Sequence, residues 1–168
     1  PENDLSPLLN TVKRERKSAT GIDVEGAGDV LVKLARCCAP VPGDKITGFI
    51  TRGSGVSVHR ADCINIGDLK IHQGDRMVGV KWNLSAKSTF LVNIQVQALD
   101  RARLLSDVTK SLSDQHVNIL SASVVTNKDQ TAICKFSFEM ADASHLDAVL
   151  AAVRTIEGVY DVDRIFNN

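Results

Sequence analysis

The sequence predicts an α+β chain of two units: a small strand-rich module holding a cysteine cluster, followed by a ferredoxin-like βαββαβ sandwich. Three observations carry this. Behind residue 89, stretches of alternating apolar and polar residues flank two stretches with apolar residues three and four apart. Ahead of residue 83, short β-branched runs are broken by Gly and Pro. Of the 4 cysteines, at 37, 38, 63 and 134, three fall in that front part.

Composition bounds the rest. With 43% hydrophobic and 24% charged residues in 168, the chain has enough apolar side chains for a core and is not a disordered polyelectrolyte. Aromatics are 4%, so Val, Leu, Ile and Ala must fill that core. No apolar run reaches the roughly 18 to 20 residues of a membrane span, and PENDLSPLLN has no signal-peptide pattern. A start at Pro1 reads as a piece of something longer. Adjacent cysteines and a cysteine in a strand pattern argue for reduced thiols, hence a cytoplasmic setting. Residues 1–88 hold 13 Lys and Arg against 10 Asp and Glu, and residues 89–168 hold 7 against 10. This mild asymmetry points an anionic partner at the front unit and falls short of a dedicated nucleic-acid binder.

In chain order, residues 1–28, with KRERK (13–17) and TGIDVEGAGD (20–29), read as a linker or tail of a preceding segment. The front module spans 29–83. VLVKLA (30–35) reads as a buried strand, interrupted by the cysteine stretch because Pro40 and Pro42 cannot donate to a ladder. ITGFIT (46–51) and GVSV (55–58) form a hairpin about Arg52-Gly53-Ser54. That turn lacks the Lys-Ser/Thr and the long helix of a phosphate-binding loop. Residues 61–69 read as a short helix or turn, RMVGVKW (76–82) as a closing strand, and NLSAKS (83–88) as a linker. A module this small needs a metal, a neighbour or a partner.

The second unit, 89–168, is clearer. TFLVNIQVQAL (89–99) alternates, and a helix follows Asp100 with Leu104, Leu105, Val108 and Leu112 on one stripe. VNILSASVVT (117–126) and TAICKFSFEM (131–140) make a hairpin. Asp142 caps a second helix bearing Leu146, Val149, Leu150 and Val153, Gly158 stops it, and VYDVDRIF (159–166) closes the sheet.

Cys37, Cys38, His59 and Cys63 form the candidate site. His59 and Cys63 are four apart, which on a helical turn puts both on one face. Thiolates with an imidazole suit structural zinc. Adjacent residues on an extended strand point opposite ways, so Cys37 and Cys38 bind one ion only through a turn. A metal-free cluster of packed thiols with a hydrogen-bonded His59 therefore stays open beside zinc. A nucleophilic Cys38 with His59 as base and Asp62 as orienter has no oxyanion site to support it.

KLARCCAPVPGDKITGFITRGSGVSVHRADCIN (33–65) resembles the conserved-cysteine, zinc-finger-like, ribosome-intersubunit module of the RelA/SpoT homologues, the long enzymes that make and degrade (p)ppGpp. ALDRARLLSDVT (98–109) and VNILSAS (117–123) resemble the ACT domain that follows it there. The resemblance covers about residues 29–168 and implies a regulatory, non-catalytic piece in the stringent response. It implies contact with the ribosome (rRNA) and uncharged A-site tRNA, and control of catalytic domains of the same protein. It also implies RNA-facing roles for Arg36, Lys45, Arg52, His59 and Arg60. ACT domains bind small effectors, often amino acids. The corresponding residues here are Asp100, Arg101, Arg103, Leu104, Leu105, Asn118 and Ile119, with Arg103 where many ligand-binding ACT domains have Gly. An amino-acid sensor that pairs as a homodimer is the alternative function; neither reading involves a membrane.

Overall fold

The computed structural model describes residues 21–27, 30–53, 55–83 and 89–166. The KRERK run and most of NLSAKS lie outside the described residues.

In the front module, β2 (Val32–Leu34), β3 (Ile46–Thr51), β4 (Gly55–Arg60) and β5 (Met77–Val78) form a sheet in the order β2-β4-β3-β5. β3 and β4 are the expected hairpin, paired from Ile46 with Arg60 to Thr51 with Gly55. β2 lies parallel to β4 on its other side. Gly55 makes that approach feasible: its φ is +86°, and a Cβ there would strike the Leu31 carbonyl, which accepts the Val56 N–H at 2.8 Å.

Three local expectations are corrected. Residues 20–29 are not all linker, because β1 (Ile22–Val24) pairs antiparallel with β6 (Val80–Trp82) and Ile22 is buried. Its Gly- and Asp-rich flanks disguise a strand whose apolar side chains belong to the core. The closing strand expected over 76–82 is split at Gly79, with β5 on β3 and β6 on β1. The helix α1 (Ile64–Gln73) starts later and runs further than 61–69, as a turn at Ala61–Cys63 comes first. Between the two small sheets Ile22, Val32, Val56, Val58 and Val80 pack together.

The second unit has the expected order: β7 (Phe90–Leu99), α2 (Leu104–Asp114), β8 (Asn118–Thr126), β9 (Thr131–Met140), α3 (Leu146–Arg154) and β10 (Val159–Arg164). Its sheet runs β10-β7-β9-β8, antiparallel throughout. Alternate residues Val92, Ile94, Val96 and Phe136, Phe138 meet Leu104, Val108 and Leu112 of α2 and Val149 and Val153 of α3 in one core. Each such side chain contributes about 1.5–3 kcal/mol on burial. Asp142 caps a short 3-10 turn leading into α3, accepting the Ser144 N–H at 2.9 Å.

The front module closes onto this core. Val41, from the loop after the cysteines, is buried within it, and Leu34 and Trp82 pack against both cores. The Trp82 ring meets Phe90 edge-on at 5.8 Å, and its Nε1–H donates to the Asp44 carbonyl at 3.0 Å. The undersized module is thus completed by its neighbour.

Candidate metal centre and its surroundings

The chain between Arg36 and Cys38 turns rather than extends, and Ala39 follows with φ +41°. The Ala39 N–H donates back to the Ala35 carbonyl at 3.0 Å, closing one tight turn. This removes the objection to adjacent ligands, because both thiols reach the same point. Cys37 Sγ lies 3.9 Å from Cys38 Sγ, 3.7 Å from Cys63 Sγ and 3.4 Å from His59 Nδ1. Cys38 Sγ is 3.9 Å from that nitrogen.

Zinc bonded at about 2.3 Å to sulfur and about 2.0 Å to nitrogen has tetrahedral edges of roughly 3.8 Å between sulfurs and roughly 3.5 Å from sulfur to nitrogen. The four separations above, 3.4 to 3.9 Å, lie close to these edges, and all four donor atoms lie within 4.8 Å of one another. The cluster can therefore coordinate a metal ion. The path to it differs from the expected helical face: His59 is the next-to-last residue of β4, and Cys63 is at the N-cap of α1 after a turn in which its N–H donates to the Arg60 carbonyl.

The outer contacts suit metal binding. His59 Nε2 is 3.1 Å from Ser57 Oγ; with that nitrogen donating, Nδ1 presents its lone pair to the thiols. Burial holds the His59 pKa below its usual value, so the ring is neutral and free to ligate. The Arg60 backbone N–H donates to Cys38 Sγ at 3.3 Å, as suits a thiolate. Without metal, burial above all, helped by Cys37 and Cys63, pushes the Cys38 thiol up to about 12. That disarms Cys38 as a nucleophile. The remainder of the proposed triad is also unassembled, because Asp62 pairs with Arg60 at 2.9 and 3.0 Å and His59 turns to Ser57. A cavity of about 200 Å³ lies beside the cluster, with Cys37, Cys63, Arg60 and Phe166 in its wall.

Of the residues expected to face RNA, Arg36, Lys45 and Arg52 are exposed. His59 is not among them, being 9% exposed with both ring nitrogens engaged. Arg60 is also withdrawn: it chelates Asp62, and its guanidinium lies 4.3 Å from the Phe166 ring centre. The second unit supplies a partner that sequence reasoning missed. Arg164 donates to both carboxylate oxygens of Asp44, at 3.0 and 3.1 Å, and to the Ala39 carbonyl at 3.2 Å.

The expected effector residues fall into two groups. Arg103 has φ +68° at the start of α2, a left-handed position for which Gly is the natural choice. Leu104 is core, and Leu105 is exposed. Arg101 is a fastener, donating to Asp107 at 2.8 Å and to the Glu157 carbonyl at 2.8 Å. The Asp100 N–H donates to the Gln130 carbonyl, at the turn between β8 and β9. Asn118 and Ile119 pair with Glu139 and Phe138, at the other end of that ladder. One chain does not bring the two groups together.

Residues 22–83 match the family model of the RelA/SpoT RIS domain, and residues 86–164 match that of the ACT domain. The class defined by fold and cluster is a RIS–ACT pair. With this pair the chain matches RelA/SpoT-type proteins at high identity over their C-terminal region. It is 60% identical over 153 residues to a GTP pyrophosphokinase of Streptomyces coelicolor, covering 91% of this chain and 18% of that protein. To the bifunctional (p)ppGpp synthase/hydrolase RelA of Mycobacterium tuberculosis it is 57% identical over 157 residues, 92% of this chain and 21% of that one. The chain thus spans about a fifth of the length of these curated relatives. The crystal structure of the ACT domain from the GTP pyrophosphokinase of Chlorobium tepidum matches 46% of this chain and 99% of that one, at 22% identity and a TM-score of 0.42. Among the described residues no helix is long and apolar enough to cross a membrane.

Proposed function

We propose that this chain is a sensing and pairing module of a (p)ppGpp synthetase/hydrolase, in which the ACT domain pairs with a second copy along β8 and receives an amino acid at the seam. The observation that carries it is the state of β8. This edge strand of nine residues is exposed at all but Ile119, and Leu120 and Val125 are 52% and 60% exposed. A long apolar edge is a template for another strand. Antiparallel pairing about a two-fold axis carries Asn118 of one copy toward the Asp100–Leu105 end of the other, uniting the two effector groups. Sedimentation of the chain over a concentration series, with and without amino acids, tests this. A dimer tightened by one amino acid and lost in Val125→Lys supports it; a monomer at every concentration sinks it.

A second reading rests on Arg36, Lys45 and Arg52. These exposed cations, two of them on loops flanking the cysteine module's hairpin, suit phosphate contacts with rRNA and tRNA. In this reading the RIS domain reports a stalled ribosome with uncharged A-site tRNA to the catalytic domains, which sets the protein in the cytoplasm. Co-sedimentation with ribosomes across a salt series checks it. Binding that needs the tRNA, falls with salt and weakens in Arg52→Ala is expected, and salt-independent binding contradicts it. Zinc is the metal we assign to the cluster, as a structural cross-link through Cys37, Cys38, His59 and Cys63.

A further inference from the structure

Two adjacent cysteines reach one point only while the turn at Ala39 is held. Ala39 is in a left-handed conformation that costs a non-glycine residue about 1–2 kcal/mol. Something must hold it there, and its two backbone groups are both clamped. Ala35 takes the N–H, and Arg164 of the ACT domain binds the carbonyl. The same guanidinium grips Asp44, whose Oδ2 also accepts the Val41 N–H at 2.9 Å. Val41 in turn is buried in the ACT core. On the other side of the cluster, Arg60 offers its N–H to Cys38 and its side chain to Phe166, and Phe166 is shared with Arg164 at 5.4 Å. Both routes out of the cysteine turn lead to the end of the last ACT strand, at Arg164 and at Phe166 just beyond it.

We propose that Arg164 is a positioning residue of the cysteine site, so that metal binding in the RIS domain and docking of the end of β10 are one coupled equilibrium. This rests on the metal reading of the cluster. Because coupling is reciprocal, metal must tighten the clamp by the factor by which the clamp tightens metal. Outer contacts that orient ligands commonly change metal affinity about 10–100-fold.

The test is zinc affinity of the whole chain by competition with a chromophoric chelator, for wild type, Arg164→Gln and Arg154→Gln. Arg154 donates to the Val162 carbonyl on the same strand but lies outside the clamp, so it controls for general damage. The expected result is affinity weakened about tenfold or more in Arg164→Gln and unchanged in Arg154→Gln. Zinc should also slow hydrogen exchange at the Ile165 N–H, which donates to the Asn93 carbonyl, in wild type only. Unchanged affinity in a folded Arg164→Gln overturns the proposal; should that variant not fold, Asp44→Asn stands in its place. If wild type binds no zinc, the metal reading fails by itself. The clamp is then judged by alkylation of Cys38 in the metal-free chain: faster in Arg164→Gln keeps it, equal rates sink it.

Discussion

Arg164 and Asp44 stand 120 positions apart and meet through two hydrogen bonds of 3.0 and 3.1 Å. Their side chains are 17% and 13% exposed, so this ion pair is largely out of water. It joins the strand that ends the ACT sheet to the loop that follows the paired cysteines.

Removing one partner leaves the other charge buried. Arg164→Ala and Asp44→Ala should each destabilise the chain by about 3 kcal/mol in urea unfolding. The double variant should cost less than the sum, with a coupling of about 1–3 kcal/mol. Additive effects would mean the pair contributes nothing as a pair.

The thiols should differ in reactivity. Cys37 and Cys63 are half-buried at the cavity, whereas Cys38 and Cys134 are buried, and burial raises the pKa of both. With chelator present, iodoacetamide should modify Cys37 and Cys63 first and Cys134 last, read by peptide mass spectrometry. Zinc should protect the first three and leave Cys134 unaffected.

Stability of the metal-free chain should fall on both sides of neutrality. His59 has its pKa lowered from 6.5 by burial, so its contribution is full above that value and is lost as pH falls below it. Cys38 is raised from 9.0 to about 12, so its contribution is full below 9.0 and is lost as pH rises toward 12. Urea midpoints at about pH 5, 7.5 and 10 should peak in the middle, with the acid limb flatter in His59→Gln and the alkaline limb flatter in Cys38→Ala.

Gly55→Ala should cost more than its single methyl suggests, about 2–4 kcal/mol, since it combines φ +86° with a clash against the Leu31 backbone. The loss should appear in hydrogen exchange at Val56, whose N–H joins β4 to the start of β2. Exchange unchanged there would contradict this account of the parallel pair.

The ACT sandwich is legible in the sequence because alternation marks β7 and β9 and helical periodicity marks α2 and α3, although β8 carries no alternation and α2 no side-chain cap. The front module is less so. Its strands of two or three residues are too short to show a period, and β1 hides between glycines. All four candidate ligands are visible as types, while the turn that unites Cys37 and Cys38 depends on a positive φ at Ala39, which no alanine announces. Spacing alone places His59 with Cys63 but gives a helix where a strand end and a turn do the work. Arg164, Asp44 and Phe166 carry no local signal, for their roles exist only once the ACT sheet docks. The same docking withdraws Arg60, which resemblance alone assigns to RNA.

The most direct measurement of the site is X-ray absorption at the zinc edge on the chain loaded with one equivalent of zinc. Three sulfurs at about 2.3 Å and one nitrogen at about 2.0 Å are predicted, falling to two sulfurs in Cys38→Ser. A shell of nitrogen and oxygen, or sulfur counts unmoved by that substitution, would contradict a centre built from Cys37, Cys38, His59 and Cys63.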